Sequence, residues 1–166
     1  MPPRPILLYP DPRLRLPCQA VVQFDDDLRD LVADLRDTLA ATGALGITAA
    51  HVGEARRVAV IDCGDGRGGT YVNPSVVWSS AERIRHPEAS VSMPGVGEEV
   101  ERPAAVRVAY RDVDGTPRIE EADGLLAVCL QHEIDQLDGL FWTQRLSRLK
   151  RERLMKRYAK QRRQAG

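Results

Sequence analysis

The stretch that decides the fold is residues 124–139, which read GLLAVCLQHEIDQLDG. A glycine opens it, and apolar side chains occupy most faces of the helix that it predicts over residues 125–137. A helix that is apolar nearly all round lies in the core of a protein. Buried polar side chains are costly unless they are hydrogen-bonded or functional. Besides Gln131, the polar residues on this helix are His132, Glu133, Asp135 and Gln136.

Residues 132–136 differ by one letter from H-E-x-x-H, a zinc-binding motif. The intact motif places two imidazoles one turn apart on one helix face, beside a glutamate that acts on the metal-bound water. His132 and Glu133 occupy the expected positions, but Gln136 replaces the second imidazole. An amide is a weaker ligand than an imidazole for zinc or ferrous iron. The motif is therefore recognisable but damaged.

Around this helix, the chain predicts short elements of both types. Acidic residues followed by apolar residues at helical spacing predict an amphipathic helix that starts near Phe24 and ends near Gly43. Runs of β-branched and aromatic residues predict strands, and Asp114-Gly115 predicts a hairpin turn. We therefore expect an α+β fold with short antiparallel sheets around a central buried helix, as a single domain over residues 1–166. The predicted strands cover residues 57–63, 70–79, 106–112 and 118–121.

Charge is distributed unevenly along the chain, although the formal net charge is +0. Residues 145–163 contain ten lysine and arginine residues against one acid, Glu152. We expect a basic C-terminal helix or tail over residues 145–166, which either contacts an anionic partner such as ribosomal RNA or only adds solubility. The sequence has no long apolar run and no secretory signal, so we expect a cytoplasmic protein without a membrane partner.

Three separated segments resemble the motifs of peptide deformylases, which remove the N-formyl group from new bacterial polypeptides. Residues 46–53, GITAAHVG, resemble the family's G-L-A-A-P-Q-V-G. Residues 88–92, EASVS, resemble E-G-C-L-S, and residues 131–139, QHEIDQLDG, resemble Q-H-E-x-D-H-L-x-G. The resemblance implies a deformylase-like fold, in which sheets wrap around a central helix, and it favours an enzyme.

The resemblance also implies roles for single residues. In the family, the cysteine of the second motif and both histidines of the third motif hold the metal. The glutamate of the third motif is the general acid and base, and the glutamine of the first motif helps to stabilise the oxyanion. His132 and Glu133 match their family counterparts, whereas Ser90 replaces the cysteine and Gln136 replaces the second histidine. His51 replaces the glutamine. The candidate catalytic residues are therefore Glu133, His132, Ser90 and His51.

Further residues are expected to support this site. By the same resemblance, Gly46 and Val91 contribute backbone groups to substrate placement, and Gln136 is a candidate substrate-binding residue. Glu88 and Arg102 match a charged pair that resembles a structural element of the family, and we expect them to belong to the scaffold.

The substituted metal-binding positions have a direct chemical consequence. Metal ligands must be lone-pair donors in their deprotonated state. A serine hydroxyl at position 90 and an amide at position 136 replace two of the three strong donors, so we expect no bound metal and no other cofactor. Without a metal, no bound water reaches a pKa of about 7, and ordinary metal-dependent deformylation is not expected.

Three functions remain open. In the first, Ser90 and His132 lie within hydrogen-bonding distance. Together with Glu133 they carry out metal-independent hydrolysis or acyl transfer on an N-acylated or short peptide-like substrate. In the second, the protein is a non-catalytic homologue that binds a peptide or the ribosome. In the third, His51, His132 and Gln136 form the rewired metal site of a metal-dependent deformylase.

Overall fold

The computed structural model describes residues 3–165, which form three α-helices, seven β-strands and three short 3-10 helices. The α-helices are α1 (Asp26–Thr42), α2 (Gly124–Leu137) and α3 (Arg148–Ala165). The strands are β1 (Gly46–Thr48), β2 (Val58–Asp62), β3 (Gly68–Ser79), β4 (Arg83–Ser90), β5 (Met93–Pro103), β6 (Ala105–Arg111) and β7 (Pro117–Asp123). The 3-10 helices are Pro12–Arg15, Ala49–Val52 and Trp142–Arg145.

The strands form two separate antiparallel sheets. The larger sheet has five strands in the order β1-β2-β3-β6-β7, and every neighbouring pair in it is antiparallel. β4 and β5 pair with each other in the second sheet. β1 is therefore an edge strand, and Gly46 lies opposite Ile61 of β2. An edge strand has one row of backbone groups that its own sheet does not pair.

Helix α2 is the centre of the fold. Of its 14 residues, 11 are buried, so the helix has no solvent face of its own. It packs against β1, β2, β3 and β7 of the larger sheet. Full burial of a leucine such as Leu130 or Leu137 stabilises the fold by about 1.5–3 kcal/mol. The prediction of a central buried helix surrounded by short antiparallel sheets is confirmed.

Helix α1 follows the predicted pattern at both ends. The Asp25 side chain accepts a hydrogen bond from the Leu28 N–H at the start of the helix, as N-cap residues do. Gly43 ends the helix in the left-handed conformation, with a φ of 71°. The apolar face, which includes the fully buried Leu31 and Leu35, packs in one cluster with residues of β1 and β2.

The remaining elements show where the sequence patterns were sufficient. β2, β3, β6 and β7 coincide with the four predicted strands. β4 and β5 were not predicted, because Pro87, Pro94 and Gly95 interrupt the alternation of apolar and polar residues. The basic helix begins at Arg148 instead of residue 145, because Trp142–Arg145 forms a 3-10 helix. Its last predicted residue, Gly166, lies outside the described residues.

Candidate functional site

A cavity of about 510 Å³ lies between α2, the edge strand β1 and the end of β4. Six of the seven predicted catalytic and substrate-binding residues line this cavity, so the three sequence motifs meet at one place. Helix α2 contributes Leu125, Val128 and Cys129 to its apolar wall. The six residues are Gly46, His51, Ser90, Val91, His132 and Glu133.

His51 presents a hydrogen-bond donor to the cavity. It lies on the 3-10 helix Ala49–Val52 and is only 1% exposed. Its Nδ1 accepts a hydrogen bond from the Thr48 N–H at 2.9 Å, so the ring proton of the neutral imidazole is on Nε2. Burial, together with the nearby charge of His132, lowers the pKa of His51 to about 3, which keeps the ring neutral. The Nε2 atom is buried and has no partner within residues 3–165.

His132 is held in a fixed orientation by Glu88. The distance from His132 Nδ1 to Glu88 Oε1 is 2.7 Å. Arg102 donates to both oxygens of this carboxylate, at 2.6 Å to Oε2 and at 2.9 Å to Oε1. Although burial opposes ionisation, the bonds from Arg102 and His132 lower the pKa of Glu88 to about 2. The ionised Glu88 carboxylate can only accept hydrogen bonds, so His132 Nδ1 is the donor in this bond. Nε2 is then the ring nitrogen that remains to interact with a ligand in the cavity.

The charge state of His132 follows from the same surroundings. Burial acts to lower the pKa of His132. The hydrogen bond to Glu88 and the negative charges of Glu133 and Glu88 outweigh that effect, so the pKa lies above its usual value. The structure therefore confirms that Glu88 and Arg102 form a buried pair, and it shows that this pair also positions His132.

Glu133 and Glu88 are the two carboxyl groups that line the cavity, and Glu133 is the one without an arginine partner. Burial raises its pKa to about 7, because the positive charge of His132 only partly offsets the loss of hydration. Its Oε1 lies 3.7 Å from His132 Nε2, which is too long for a hydrogen bond. Its Oε2 is buried without a partner within the described residues. A carboxyl group with a pKa near neutrality can both accept and donate a proton at physiological pH.

The absence of a side chain at Gly46 makes room for Glu133. A Cβ atom at position 46 would lie 3.1 Å from Glu133 Cγ and 3.3 Å from its Oε1. The sequence indicated Gly46 only through the resemblance of its motif. The structure adds a steric reason, since the edge strand β1 and the carboxylate are in direct contact.

Ser90 lies in the cavity but is not paired with His132. Its Oγ accepts a hydrogen bond from the Ser92 N–H at 3.1 Å. Within residues 3–165, no hydrogen bond joins Ser90 to His132, so the expected contact between these two side chains is absent from this arrangement. A serine nucleophile needs a base within hydrogen-bonding distance to become reactive.

Gln136 does not line the cavity, and the expectation that it binds substrate there is not met. Its amide nitrogen donates a 2.7 Å hydrogen bond to the Leu14 carbonyl, on the 3-10 helix Pro12–Arg15. The side chain is 2% exposed, so this bond satisfies a buried polar group. Sequence reasoning could not find this contact, because the two residues are 122 positions apart.

The donor atoms do not fit the metal that the family resemblance implies. Gln136 is bonded to the backbone of Leu14, and Ser90 offers a neutral hydroxyl. Among the three positions that hold the metal in the family (90, 132 and 136), only His132 Nε2 is left as a strong metal ligand. Within the described part of the chain, no group of three or more histidine, cysteine, aspartate or glutamate side chains is arranged to hold a metal ion. The rewired site of His51, His132 and Gln136 is likewise not assembled, since Gln136 points elsewhere.

Sequence reasoning missed the residues that shape the rest of the cavity. Leu125, Val128 and Cys129 lie one and two turns before His132 and Glu133, so helical spacing alone could have placed them on the same face. His86 is another lining residue of this kind. It is half-buried and lines the cavity, and its Nδ1 lies 2.7 Å from the Pro87 carbonyl.

Comparison with known proteins identifies the family. The family model for polypeptide deformylase matches residues 3–152. A peptide deformylase-like protein of Brucella melitensis is 58% identical over 158 residues, which cover 95% of this chain and 96% of that protein. A peptide deformylase of Brucella suis is 43% identical over 161 residues, covering 95% and 92%. The crystal structure of a peptide deformylase from Legionella pneumophila superposes with a TM-score of 0.91 at 35% identity, covering 98% of this chain and 97% of that one. The chain therefore belongs to the peptide deformylase family.

Proposed function

We propose that the cavity binds the acylated amino end of a short peptide and that Glu133 carries out metal-independent hydrolysis of its amide bond. One observation supports this proposal most directly. Two residues that line the cavity each carry a buried side-chain atom without a partner within residues 3–165: the donor His51 Nε2 and the acceptor Glu133 Oε2. An acyl amide offers one acceptor, its carbonyl oxygen, and one donor, its N–H group. A ligand that pairs both atoms removes two penalties of about 1–3 kcal/mol each.

The chemistry that we propose needs only the residues of the cavity and one water molecule. Glu133 removes a proton from water as the water oxygen attacks the carbonyl carbon. The His51 N–H donates to the developing oxyanion, and its neutral ring stays a donor throughout. The C–N bond then breaks, and the proton held by Glu133 passes to the leaving amine. We prefer water to Ser90 as the nucleophile, because the Ser90 hydroxyl is bonded to Ser92 and not to His132.

The choice of ligand follows from the relatives. Several of them are named peptide deformylases, so a formylated peptide is the first ligand to test. Calorimetry should show at least tenfold tighter binding of N-formylmethionyl-alanyl-serine than of methionyl-alanyl-serine, because only the former carries an acyl amide at its amino end, where the latter carries a charged ammonium group. Equal affinities for the two peptides would contradict the proposal.

Substitutions separate catalysis from binding. Glu133→Gln should keep binding but abolish formate release, whereas Asp138→Asn, an equivalent carboxylate-to-amide change just after the end of α2 and outside the cavity, should preserve both. Ser90→Ala should leave turnover within about threefold of wild type. Loss of turnover in Ser90→Ala with activity kept in Glu133→Gln would support the serine as nucleophile instead. Tight binding without any release by the wild type would support the alternative of a non-catalytic peptide-binding homologue.

A second proposal concerns the outer face of α3. We propose that this face binds RNA, the ribosome being the natural test. Only Leu154 and Tyr158 of the helix are buried, and they attach it to β5 and its surroundings. Seven of its basic residues are exposed, which leaves a positively charged surface. These residues are Arg148, Arg153, Lys156, Arg157, Lys160, Arg162 and Arg163.

A further inference from the structure

A row of hydrogen-bonded side chains with alternating charges, which we call the charge chain, leads from His132 to the opposite side of α2. Glu88 binds His132 on one side and Arg102 on the other. The remaining guanidinium nitrogen of Arg102, Nη1, donates to Asp135 at 2.9 Å. Asp135 in turn accepts two hydrogen bonds from Arg145, at 2.8 and 2.9 Å. The sequence indicated the first pair of this chain but gave no sign of the extension through Asp135 and Arg145.

Burial decreases along this chain toward its outer end. The side chains of Glu88 and Arg102 are 4% and 3% exposed, that of Asp135 is 12% exposed, and that of Arg145 is 48% exposed. Arg102, Asp135 and Arg145 line a second cavity, of about 550 Å³. The hydrogen bonds that hold the His132 side chain in the first cavity therefore continue to residues that line the second cavity.

We propose that Asp135 and Arg145 are positioning residues for the His132 imidazole and act through Arg102 and Glu88. A guanidinium group is planar, so its partners on one edge fix the direction of the other edge. Asp135 fixes the Nη1 edge of Arg102, and the opposite edge grips Glu88. Arg145 holds Asp135 in place for this contact.

This series of ion pairs fixes the orientation of the His132 imidazole ring. Because Glu88 is gripped on both oxygens, it holds the Nδ1 proton of His132 and directs Nε2 toward Glu133. At metal sites, the group that hydrogen-bonds to the second ring nitrogen of a histidine ligand typically changes the metal affinity or the activity by about 10–100-fold when it is removed. The effect on ligand turnover rests on the proposed function, but the effect on the ring itself does not.

The test compares two pairs of variants of the full chain without ligand. Asp135→Asn and Arg145→Gln interrupt the chain. Asp138→Asn and Arg57→Gln are matched controls, since these residues line the same second cavity and bind each other at 2.6 Å, and within residues 3–165 neither side chain forms a hydrogen bond with Arg102 or Glu88. Imidazole ¹H–¹⁵N spectra report the tautomer of His132 and the exchange of its Nδ1 proton with water.

In the wild type and in both controls, we expect a slowly exchanging Nδ1 proton on His132. In Asp135→Asn, exchange should be about tenfold faster, which corresponds to the loss of about one hydrogen bond between charged groups, and Arg145→Gln should give a smaller change in the same direction. If Asp135→Asn does not fold, the comparison of Arg145→Gln with Arg57→Gln carries the test. Exchange in the chain variants equal to that in their controls overturns the inference.

The ring measurement and the peptide measurement fail independently. Suppose that the wild type binds formylated and free peptides equally, but Asp135→Asn speeds the exchange of the His132 Nδ1 proton. The proposed function is then overturned, and this inference is kept. If the wild type binds the formylated peptide selectively, but Asp135→Asn leaves the exchange rate unchanged, this inference is overturned and the proposed function is kept.

Discussion

At the scale of single residues, the close approach of Gly46 to Glu133 leaves little room for a larger residue at position 46. We expect Gly46→Ala to destabilise the fold by about 1–3 kcal/mol, because the new methyl group would lie 3.1 Å from Glu133 Cγ. Urea unfolding measures this difference. In a Glu133→Ala background the same substitution should cost much less, since the atoms that it meets are gone. An equal cost in both backgrounds would show that the strain lies elsewhere.

The raised pKa of Glu133 predicts a dependence of stability on pH. Its folded pKa, about 7, lies above the ordinary value of 4.5, so the folded state holds the proton more tightly than the unfolded chain does. This contribution to stability is fully present below pH 4.5 and is lost as the pH rises toward 7. Relative to Glu133→Gln, the wild type should lose roughly 3 kcal/mol between about pH 4 and pH 8. Parallel curves of unfolding free energy for the two proteins would contradict the assignment.

Single residues also show the limits of reading the sequence alone. His51, His132 and Glu133 were placed correctly near one another, because their motifs carry the resemblance to the family. Their hydrogen-bond partners could not be predicted, since a rotamer depends on neighbours that are distant in sequence. Gln136 is the clearest example, because its amide turns to the Leu14 carbonyl and not to the cavity.

At the scale of elements, helix α3 combines a narrow apolar contact with a wide basic face. We expect RNA binding by this face to weaken steeply with salt, because each neutralised phosphate releases counterions. Reversing the charges of Lys156, Lys160 and Arg163 to glutamate should reduce the salt slope by about 2 and weaken binding to all RNA sequences alike. Filter-binding at several salt concentrations measures both quantities.

The matched control reverses three exposed arginines on the sheet, Arg107, Arg111 and Arg118. It makes the same change in net charge, so equal losses in the two triple variants would mean that α3 holds no specific surface for RNA.

Elements with regular periodicity were predictable, and those that break it were not. Helices α1 and α2 carry complete apolar patterns, and α1 also carries its capping residues Asp25 and Gly43. The hairpin of β4 and β5 is held together by its own pairing, from Arg83 opposite Pro103 to Ser90 opposite Met93. This pairing tolerates prolines and glycines, because a two-stranded sheet consists only of edges.

At the scale of the whole molecule, the core packs around α2 through buried apolar side chains such as Leu130 and Leu137, and the donor atoms of Ser90 and Gln136 do not fit a metal. A chelator should therefore leave the unfolding temperature of the wild type unchanged within about 1 °C, since only groups that bind the folded state stabilise it. The double variant Ser90→Cys/Gln136→His restores a thiolate and a second imidazole. We expect it to take up zinc or nickel and to lose stability on chelation. Differential scanning calorimetry and elemental analysis measure the two effects, and a chelator-sensitive wild type would refute this prediction.

The bond between Gln136 and Leu14 also sets an order of events during synthesis. Leu14 is synthesised 122 positions before Gln136. The 3-10 helix Pro12–Arg15 therefore cannot form this bond until synthesis has passed through α2 as far as Gln136. A nascent chain that stops before Gln136 lacks this link between the 3-10 helix and α2.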